Sequence, residues 1–149
     1  MQKDEVLKKM GFDFEVKEFP QTTRTAQEAA DAIGCSVSQI AKSIIFKGNQ
    51  TQKPYLVIAS GSNRVNEKVI EEKVGEAVEK ADADFVRQKT GFVIGCVAPF
   101  GHKEPMLTFI DEDLLRFQEI WASAGTPNTV FKLTPRELQK ISGGKVINI

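Results

Sequence analysis

The chain has 149 residues, of which 41% are hydrophobic and 27% charged, and both proportions are typical of one globular domain with a single core. Twenty basic and twenty acidic residues give no net charge, which argues against a broad cationic surface and therefore against a general DNA-binding protein. We expect a single domain over residues 1–149, in which any contact with RNA is local.

The first residues are charged and lead into no long apolar run, so the sequence predicts neither a signal peptide nor a membrane span, and we expect a cytoplasmic protein. Cys35 and Cys96 form no CxxC pair, and His102 is the single histidine, so the sequence offers no recognisable zinc site or disulfide scaffold. We therefore predict two reduced thiols and neither a metal ion nor another cofactor.

Hydrophobic periodicity and capping residues predict a mixture of short helices and strands. The clearest helix starts are Thr25, with Glu28 placed for a capping box, and Thr134, which is followed by Pro135 and Glu137. In chain order the predicted elements are a helix at residues 2–10, a strand at 13–19, a helix from Thr25 toward Gly34, a helical turn at 37–41, a hairpin of strands at 42–47 and 55–59, helices at 66–74 and 82–89, strands at 93–97, 106–110, 120–122 and 129–132, a helix from Thr134 to Gly143, and a strand at 145–149. Strands and helices are mixed without a regular βαβ rhythm, which favours an α+β domain over a doubly wound sheet.

Residues 90–101, Thr-Gly-Phe-Val-Ile-Gly-Cys-Val-Ala-Pro-Phe-Gly, place three glycines and one proline in an otherwise apolar segment. Glycine inside a strand marks a bulge, or a place where a ligand or a second backbone comes close. One interpretation is structural, a bulged strand that ends in a turn. The other is functional: Gly91 and Gly101, which lack Cβ, leave main-chain N–H groups free to stabilise an oxyanion.

Lys42 opens the apolar run Ser-Ile-Ile-Phe at residues 43–46 and also has two interpretations. A lysine at the edge of a strand is commonly solvated, with its aliphatic stem packed along apolar surface. However, residues 39–46, Gln-Ile-Ala-Lys-Ser-Ile-Ile-Phe, together with the glycine segment and the strand end at Ile110 and Asp111, resemble the YbaK/prolyl-tRNA-synthetase-associated domain family. The resemblance extends from about Thr25 through the last predicted strand.

This resemblance implies a YbaK-like fold, in which helices flank a mixed, mostly antiparallel and barrel-like sheet, and it implies hydrolysis of mischarged aminoacyl-tRNA. It implies catalytic roles for Lys42, Gly91 and Gly101, with the ammonium group of Lys42 anchoring the terminal phosphate or polarising the ester carbonyl. The candidate substrate-binding residues are Ser60, Gly61, Gly95, Pro99, Ser123 and Gly125. Ser60 and Gly61 begin a polar, turn-forming stretch after a strand, which has two interpretations, a site for the RNA 3′ end or an ordinary loop. The implied partners are the aminoacylated 3′ end of tRNA, with tRNA-Pro as the expected identity, and prolyl-tRNA synthetase as a candidate, with no DNA and no membrane.

Ser123-Ala124-Gly125 resembles the turn that lines the amino-acid pocket in the Cys-tRNA deacylase branch of the family, but the chain departs from that branch immediately afterwards. Val130 stands where that branch has an acidic residue able to hold the α-ammonium group of the substrate. The amino acid removed, whether Cys, Ala or another small one, therefore stays open.

His102 is not assigned as a general base, because a single histidine beside a turn is commonly a surface residue and the sequence shows no matching set of nucleophile, base and acid. Cys96 lies between the glycines, and free cysteines in apolar runs are usually packing residues. Without a protein base, the neighbouring ribose hydroxyl is the expected activator of water. The same lack of a base keeps a second hypothesis open, a non-catalytic module that binds the tRNA acceptor end or a synthetase.

Overall fold

The structure, a computed structural model, describes residues 14–149, and the helix predicted over residues 2–10 lies outside this range. Within this range, eight strands form one mixed sheet, and four α-helices flank it. The strands are β1 (Val16–Glu18), β2 (Ile40–Gly48), β3 (Pro54–Ser60), β4 (Val78–Lys80), β5 (Leu107–Asp111), β6 (Ile120–Ser123), β7 (Thr129–Leu133) and β8 (Lys145–Ile147). The helices are α1 (Ala26–Ile33), α2 (Glu67–Val74), α3 (Ala83–Thr90) and α4 (Pro135–Ser142), and short 3-10 segments occupy Val37–Gln39 and Glu112–Arg116.

The helix boundaries follow the local capping chemistry that the sequence predicts. Thr25 accepts a hydrogen bond from the N–H of Glu28, and the carboxylate of Glu28 accepts from the N–H of Thr25. Thr134 and Glu137 repeat this arrangement at the start of α4. Gly34 ends α1 with a φ of 84°, a left-handed conformation that glycine adopts without strain. These caps fix where α1 ends and the chain turns toward β2.

The predicted hairpin of β2 and β3 is confirmed, and it forms the centre of the sheet. The strand order is β1-β7-β6-β2-β3-β5-β8, with β4 added to the C-terminal end of β2. Four strand pairs are antiparallel and three are parallel, as predicted for a mixed and mostly antiparallel sheet. Within the described residues the ladder is open, and it does not close into a barrel.

The prediction of a strand at residues 93–97 is wrong. These residues belong to an irregular segment between α3 and β5, in which Gly91 and Gly95 have φ angles of 82° and 83°. Residues in the left-handed region turn the chain out of an extended path. As a result Val93 and Ile94 are 54% and 40% exposed instead of packed in the sheet. The short strand β4 and the 3-10 segment after β5 were not predicted from the sequence.

Side chains cover both faces of the sheet, and successive residues of β2 contribute to opposite faces. Ala41 and Ile45 belong to the largest core cluster. Ile40 packs in a second cluster beneath α1, and Phe46 packs with Ile70 of α2 in a third. Strand β2 therefore has packed side chains on both of its faces. A break in the strand pairing along its edge is accessible from both faces.

Candidate functional site

One edge of β2 is paired at both ends and unpaired between them. At its start, Ile40 and Ala41 pair in parallel with β6. At its end, antiparallel pairing with β4 begins at Phe46. Residues 42–44 therefore lie in a gap of this edge, while their other edge is fully paired with β3.

The main-chain groups of Ser43 point into this gap. The N–H of Gly48 donates to the carbonyl of Lys53, so the even-numbered residues of β2 bond toward β3. Ile45 bonds in the opposite direction, because its carbonyl accepts from the N–H of Ala81. By the same alternation the N–H and C=O of Ser43 face the gap, where the described ladders offer no partner.

A cavity of about 330 Å³ occupies the gap. It has an apolar part, in which four of nine side chains are alanine, and a polar part that contains two cations. The apolar lining residues are Ala26, Ala29, Ile40, Ala41, Ile44, Val97, Trp121, Ala122 and Val130, and the others are Thr23, Arg24, Thr25, Lys42, Ser43, Gly95 and Ser123. Ligand sites commonly combine apolar walls with a few placed polar groups, so we take this cavity as the candidate site.

Lys42 is half-buried and supplies the cavity with an ammonium group. Burial holds the pKa of Lys42 below its ordinary value, the nearby charges of Lys80 and Arg64 lower it further, and Asp111 opposes the shift. Among the described residues, no carboxylate lies within ion-pair distance of Lys42. Its charge is therefore available to an anionic or polarised ligand.

Arg24 precedes α1 and reaches the irregular segment that follows α3. Its Nη2 donates to the carbonyl oxygen of Ile94 at 2.9 Å. Gly95 has a φ of 83°, and a Cβ at this position would lie 3.4 Å from Nε of Arg24. Glycine at position 95 thus allows the guanidinium group to pack against the main chain, and the contact holds this segment at the cavity.

Two serines line the cavity with different hydrogen-bonding states. Oγ of Ser123 accepts a hydrogen bond from the N–H of Gly125 at 3.1 Å, and this bond closes a turn. Gly125 itself does not line the cavity. Oγ of Ser43 is buried and has no hydrogen-bond partner within residues 14–149. A buried hydroxyl without a partner is unfavourable unless a ligand supplies one. Ser43 therefore presents an unused hydroxyl as well as its main-chain groups.

The structure does not bring Gly91, Gly101 and Pro99 to this cavity. The N–H of Gly91 donates to the carbonyl of Arg87 at 2.9 Å as the cap of α3, and so it is not free for an oxyanion. Gly101 and Pro99 line a different cavity, of about 420 Å³, together with His102. The pairing of β2 directs the N–H of Ser43 toward the candidate site instead.

Ser60 and Gly61 do not line the cavity either. The N–H of Ser60 donates to Oδ2 of Asp111 at 3.0 Å, and its Oγ donates to the carbonyl of Ser38 at 2.7 Å. A Cβ on Gly61 would lie 2.4 Å from the carbonyl oxygen of Val37, so the close approach of two backbones requires glycine. In this structure both residues connect the end of β3 to the segment that leads into β2.

Among residues 14–149, no histidine, cysteine or carboxylate lines the cavity. Nε2 of His102 lies 2.7 Å from the carbonyl oxygen of Ala98, outside the candidate site. Burial raises the pKa of Cys35 and of Cys96, which disfavours the reactive thiolates. Within residues 14–149, no group of three or more His, Cys, Asp or Glu side chains could hold a metal ion, and no helix is long and apolar enough to cross a membrane.

Sequence analysis missed Arg24 and Ser43. Arg24 lies directly before the N-cap of α1, where a positive charge is unfavourable to the helix dipole. A cation at this position therefore indicates a role other than helix stabilisation, and this signal was visible in the sequence. Ser43 is a polar residue inside an apolar strand, which was also visible. The gap beside Ser43 lies between the pairing of β2 with β6 and the pairing of β2 with β4. These strands are far from each other in sequence, so no local pattern encodes the gap.

Comparisons with known proteins show the family to which the chain is related. The family model described as the aminoacyl-tRNA editing domain matches residues 20–141. A Bacillus subtilis protein, "Uncharacterized protein YwhH", is 35% identical over 132 residues, which cover 89% of this chain and 83% of that protein. "Putative Cys-tRNA(Pro)/Cys-tRNA(Cys) deacylase EbsC" of Enterococcus faecalis is 24% identical over 126 residues, which cover 84% of this chain and 76% of that protein.

Among solved structures, the crystal structure of a "putative trans-editing enzyme for prolyl tRNA synthetase" matches with a TM-score of 0.90 and 42% identity. The match covers 97% of this chain and 92% of the other. The family model spans most of the chain, and the similarity to the solved structure extends over nearly all of both. This protein belongs to the aminoacyl-tRNA editing domain family.

Proposed function

We propose that this protein is a trans-editing deacylase that hydrolyses the ester of tRNA-Pro charged with Cys, Ala or another small amino acid. Family membership supports an aminoacyl-tRNA substrate, and the names of EbsC and of the solved homologue support tRNA-Pro. The observation that carries the proposal is the free main-chain edge at Ser43 beside the unpaired ammonium group of Lys42, in one cavity.

The cavity suits a small aminoacyl group. Ala29, Ala122 and Val130 form part of its apolar wall, and all three are buried. The carbonyl of Ser43 accepts a hydrogen bond from the α-ammonium group of the substrate, which offsets the missing carboxylate at position 130. A pocket of this kind discriminates between side chains that differ by a methylene group by about 1–3 kcal/mol, so its volume decides which amino acid is removed.

Ester hydrolysis places negative charge on the carbonyl oxygen in the tetrahedral transition state. In the proposed complex the N–H of Ser43 donates to that oxygen, and the ammonium group of Lys42 adds a second stabilising contact. Water adds to the carbonyl carbon, the bond to the terminal ribose oxygen breaks, and that oxygen leaves with a proton. Because the lining offers no carboxylate or histidine, the adjacent ribose hydroxyl positions the water.

The test is turnover of Cys-, Ala- and Ser-tRNA-Pro by catalytic amounts of the protein, of Lys42→Ala and of Lys53→Ala. Lys53 carries the same charge on the exposed loop between β2 and β3, and it serves as the matched control. We expect the protein and Lys53→Ala to clear an excess of at least one species, and Lys42→Ala to be slower by about 100-fold or more. No turnover of any species overturns the proposal, and full activity on a 2′-deoxy terminal adenosine overturns the role of the ribose hydroxyl.

The described residues that line the cavity include no carboxylate, histidine or cysteine, and this favours a second candidate, a non-catalytic module that binds the acceptor end of tRNA or prolyl-tRNA synthetase. The two functions give opposite results with a charged tRNA. A module at stoichiometric concentration protects the ester from spontaneous hydrolysis, whereas a deacylase removes it.

A further inference from the structure

A second cavity, of about 380 Å³, shares Lys42 with the cavity at Ser43. Its other lining residues are Ile44, Arg64, Val65, Glu67 and Lys80. Lys42 and Ile44 lie on the same face of β2, since side chains alternate along a strand. The two cavities are therefore neighbours, and Lys42 lines both.

Three of the six residues that line the second cavity are cations, namely Lys42, Arg64 and Lys80. Within the described part of the chain, none of them has a carboxylate at ion-pair distance. Their charges are close enough to interact, because Lys80 and Arg64 both lower the pKa of Lys42. Glu67 is the single carboxylate in the lining, and it leaves a local excess of positive charge. An anion that enters this cavity relieves the mutual repulsion.

The fold holds the two additional cations in defined places. Lys80 ends β4 and is paired with β2. Arg64 follows a loop that Asp111 fixes, because Oδ2 of Asp111 accepts from the N–H of Ser60 at 3.0 Å and from Nδ2 of Asn63 at 2.8 Å. The buried carboxylate of Asp111 thus fixes the chain that leads into Arg64.

We propose that Arg64 and Lys80 bind the phosphodiester group that precedes the terminal nucleoside of the aminoacyl-tRNA, while its aminoacyl group occupies the cavity at Ser43. This inference rests on the proposed function. The phosphate on the 5′ carbon of the terminal nucleoside is one ribose away from the ester, and Lys42 is common to both cavities. Arginine matches phosphate oxygens with paired N–H donors, and lysine adds a compact charge.

The first test measures binding of a fluorescent CCA trinucleotide by anisotropy at several salt concentrations. Arg64→Gln/Lys80→Gln removes two charges from the cavity, and Lys68→Gln/Lys73→Gln removes two from exposed positions of α2 as the matched control. We expect the first variant to raise the Kd at least tenfold and to reduce the slope of log K against log salt by about 0.7, the value for one phosphate contact with a single strand. The control keeps the affinity and slope of the unmodified protein, and equal affinity in both variants overturns the proposal.

The second test compares aminoacyl-tRNA with an aminoacyl-adenosine that has no 5′ phosphate. Arg64→Gln/Lys80→Gln is expected to raise KM for the tRNA substrate by a larger factor than KM for the nucleoside ester. An equal loss on both substrates overturns the phosphate assignment, and the single variants Arg64→Gln and Lys80→Gln repeat the comparison with a smaller perturbation. If the unmodified protein hydrolyses neither substrate but the variant still loses trinucleotide binding, the deacylase proposal fails and the phosphate site stands.

Inorganic phosphate separates a nucleic-acid site from a site for a free anion. We expect phosphate at the concentration of the trinucleotide to leave the trinucleotide bound, because the oligonucleotide offers a terminal nucleoside and further phosphates that the free anion lacks. Displacement at equal concentration assigns the site to free phosphate and overturns the proposal.

Discussion

Arg24 and Ile94 are 70 residues apart in the chain, and Nη2 of Arg24 donates to the carbonyl oxygen of Ile94 at 2.9 Å. This contact joins the residue before the N-cap of α1 to the irregular segment between α3 and β5. Gly95, the next residue of that segment, lines the candidate site. The position of this wall of the cavity therefore depends on one exposed guanidinium group.

Arg24→Ala removes that contact. We expect kcat/KM for deacylation to fall about tenfold, because a net hydrogen bond is worth about 0.5–1.5 kcal/mol and the segment at Gly95 loses its anchor. Steady-state kinetics on the species cleared fastest measures the effect. Arg136→Ala, at an exposed position of α4, is the control, and an equal loss in both variants contradicts a positioning role for Arg24.

Gly95→Ala and Gly34→Ala test the same wall from the main chain. Both glycines have positive φ angles, 83° and 84°, so alanine at either position costs about 1–2 kcal/mol in backbone strain. A Cβ at position 34 meets nothing within 4 Å, whereas at position 95 it lies against Arg24. We expect similar losses of thermal stability but a loss of deacylation in Gly95→Ala alone. Equal activity in the two variants would show that this wall plays no part in the reaction.

Ser43→Ala separates stability from function. The hydroxyl of Ser43 is buried without a partner, so its removal is expected to leave stability unchanged or to raise it by about 0.5–1 kcal/mol. If the hydroxyl contacts the substrate, kcat/KM falls about tenfold in the same variant, the equivalent of one hydrogen bond. Thermal denaturation and kinetics measure the two effects. A loss of stability in Ser43→Ala would show that this hydroxyl has a hydrogen-bond partner in the free protein.

Ala29→Val and Ala30→Val test the size of the amino-acid pocket. Both alanines are buried to the same extent in α1, but only Ala29 lines the cavity. Each added pair of methyl groups is expected to cost about 1–3 kcal/mol of stability through overpacking. We expect Ala29→Val to change the ratio of rates on Ala-tRNA-Pro and Cys-tRNA-Pro by about tenfold, a difference within the range that pocket volume produces. A change in this ratio in Ala30→Val as well would argue against a local steric effect.

Glu76 makes the stability of the protein sensitive to acid. Its carboxylate accepts from the hydroxyl and the N–H of Thr51, from the N–H of Gln50 and from the hydroxyl of Tyr55. These hydrogen bonds, that from the Thr51 hydroxyl first, lower the pKa of Glu76 from 4.5 to about 2. Because the folded state holds the charged form, its contribution is complete above the unfolded pKa and is lost as the pH falls from 4.5 toward 2.

Thermal denaturation between pH 2 and pH 7 measures this contribution. We expect Glu76→Gln to lower the melting temperature at pH 7 and to flatten its decline in acid, and Glu79→Gln, at an exposed position of β4, to retain the original profile. A profile unchanged by Glu76→Gln would show that other carboxylates dominate acid denaturation.

Local signals predicted most of the elements. Capping residues such as Thr25 and Thr134 encode helix starts within four residues, and the structure reproduces both. The error at residues 93–97 arose because an apolar run has the same composition in a buried strand and in an irregular segment. What distinguishes them are the positive φ angles of Gly91 and Gly95, which sequence allows but does not require.

The candidate site was predicted less completely than the fold. Lys42, Gly95 and Ser123 lie at the cavity, as the family resemblance implied, but Gly91 and Gly101 do not. The difference has a physical origin, since an N–H group is available to a ligand only where no secondary structure uses it. The N–H of Gly91 is bonded in a helix cap, and this depends on where α3 ends in the folded chain. The catalytic and binding roles of these residues stay predictions until the variants are measured.

The cavity at Ser43 results from how β2 is paired and not from a side chain that is too small. Its location is therefore a property of the main chain, which substitutions at Ala29, Ala122 or Val130 do not erase. Selection can alter the walls one residue at a time while the strand order persists. Divergence of ligand choice within this architecture then requires neither a new fold nor a relocated cavity, and the same property makes the chain a suitable scaffold for redesigning the walls of the cavity.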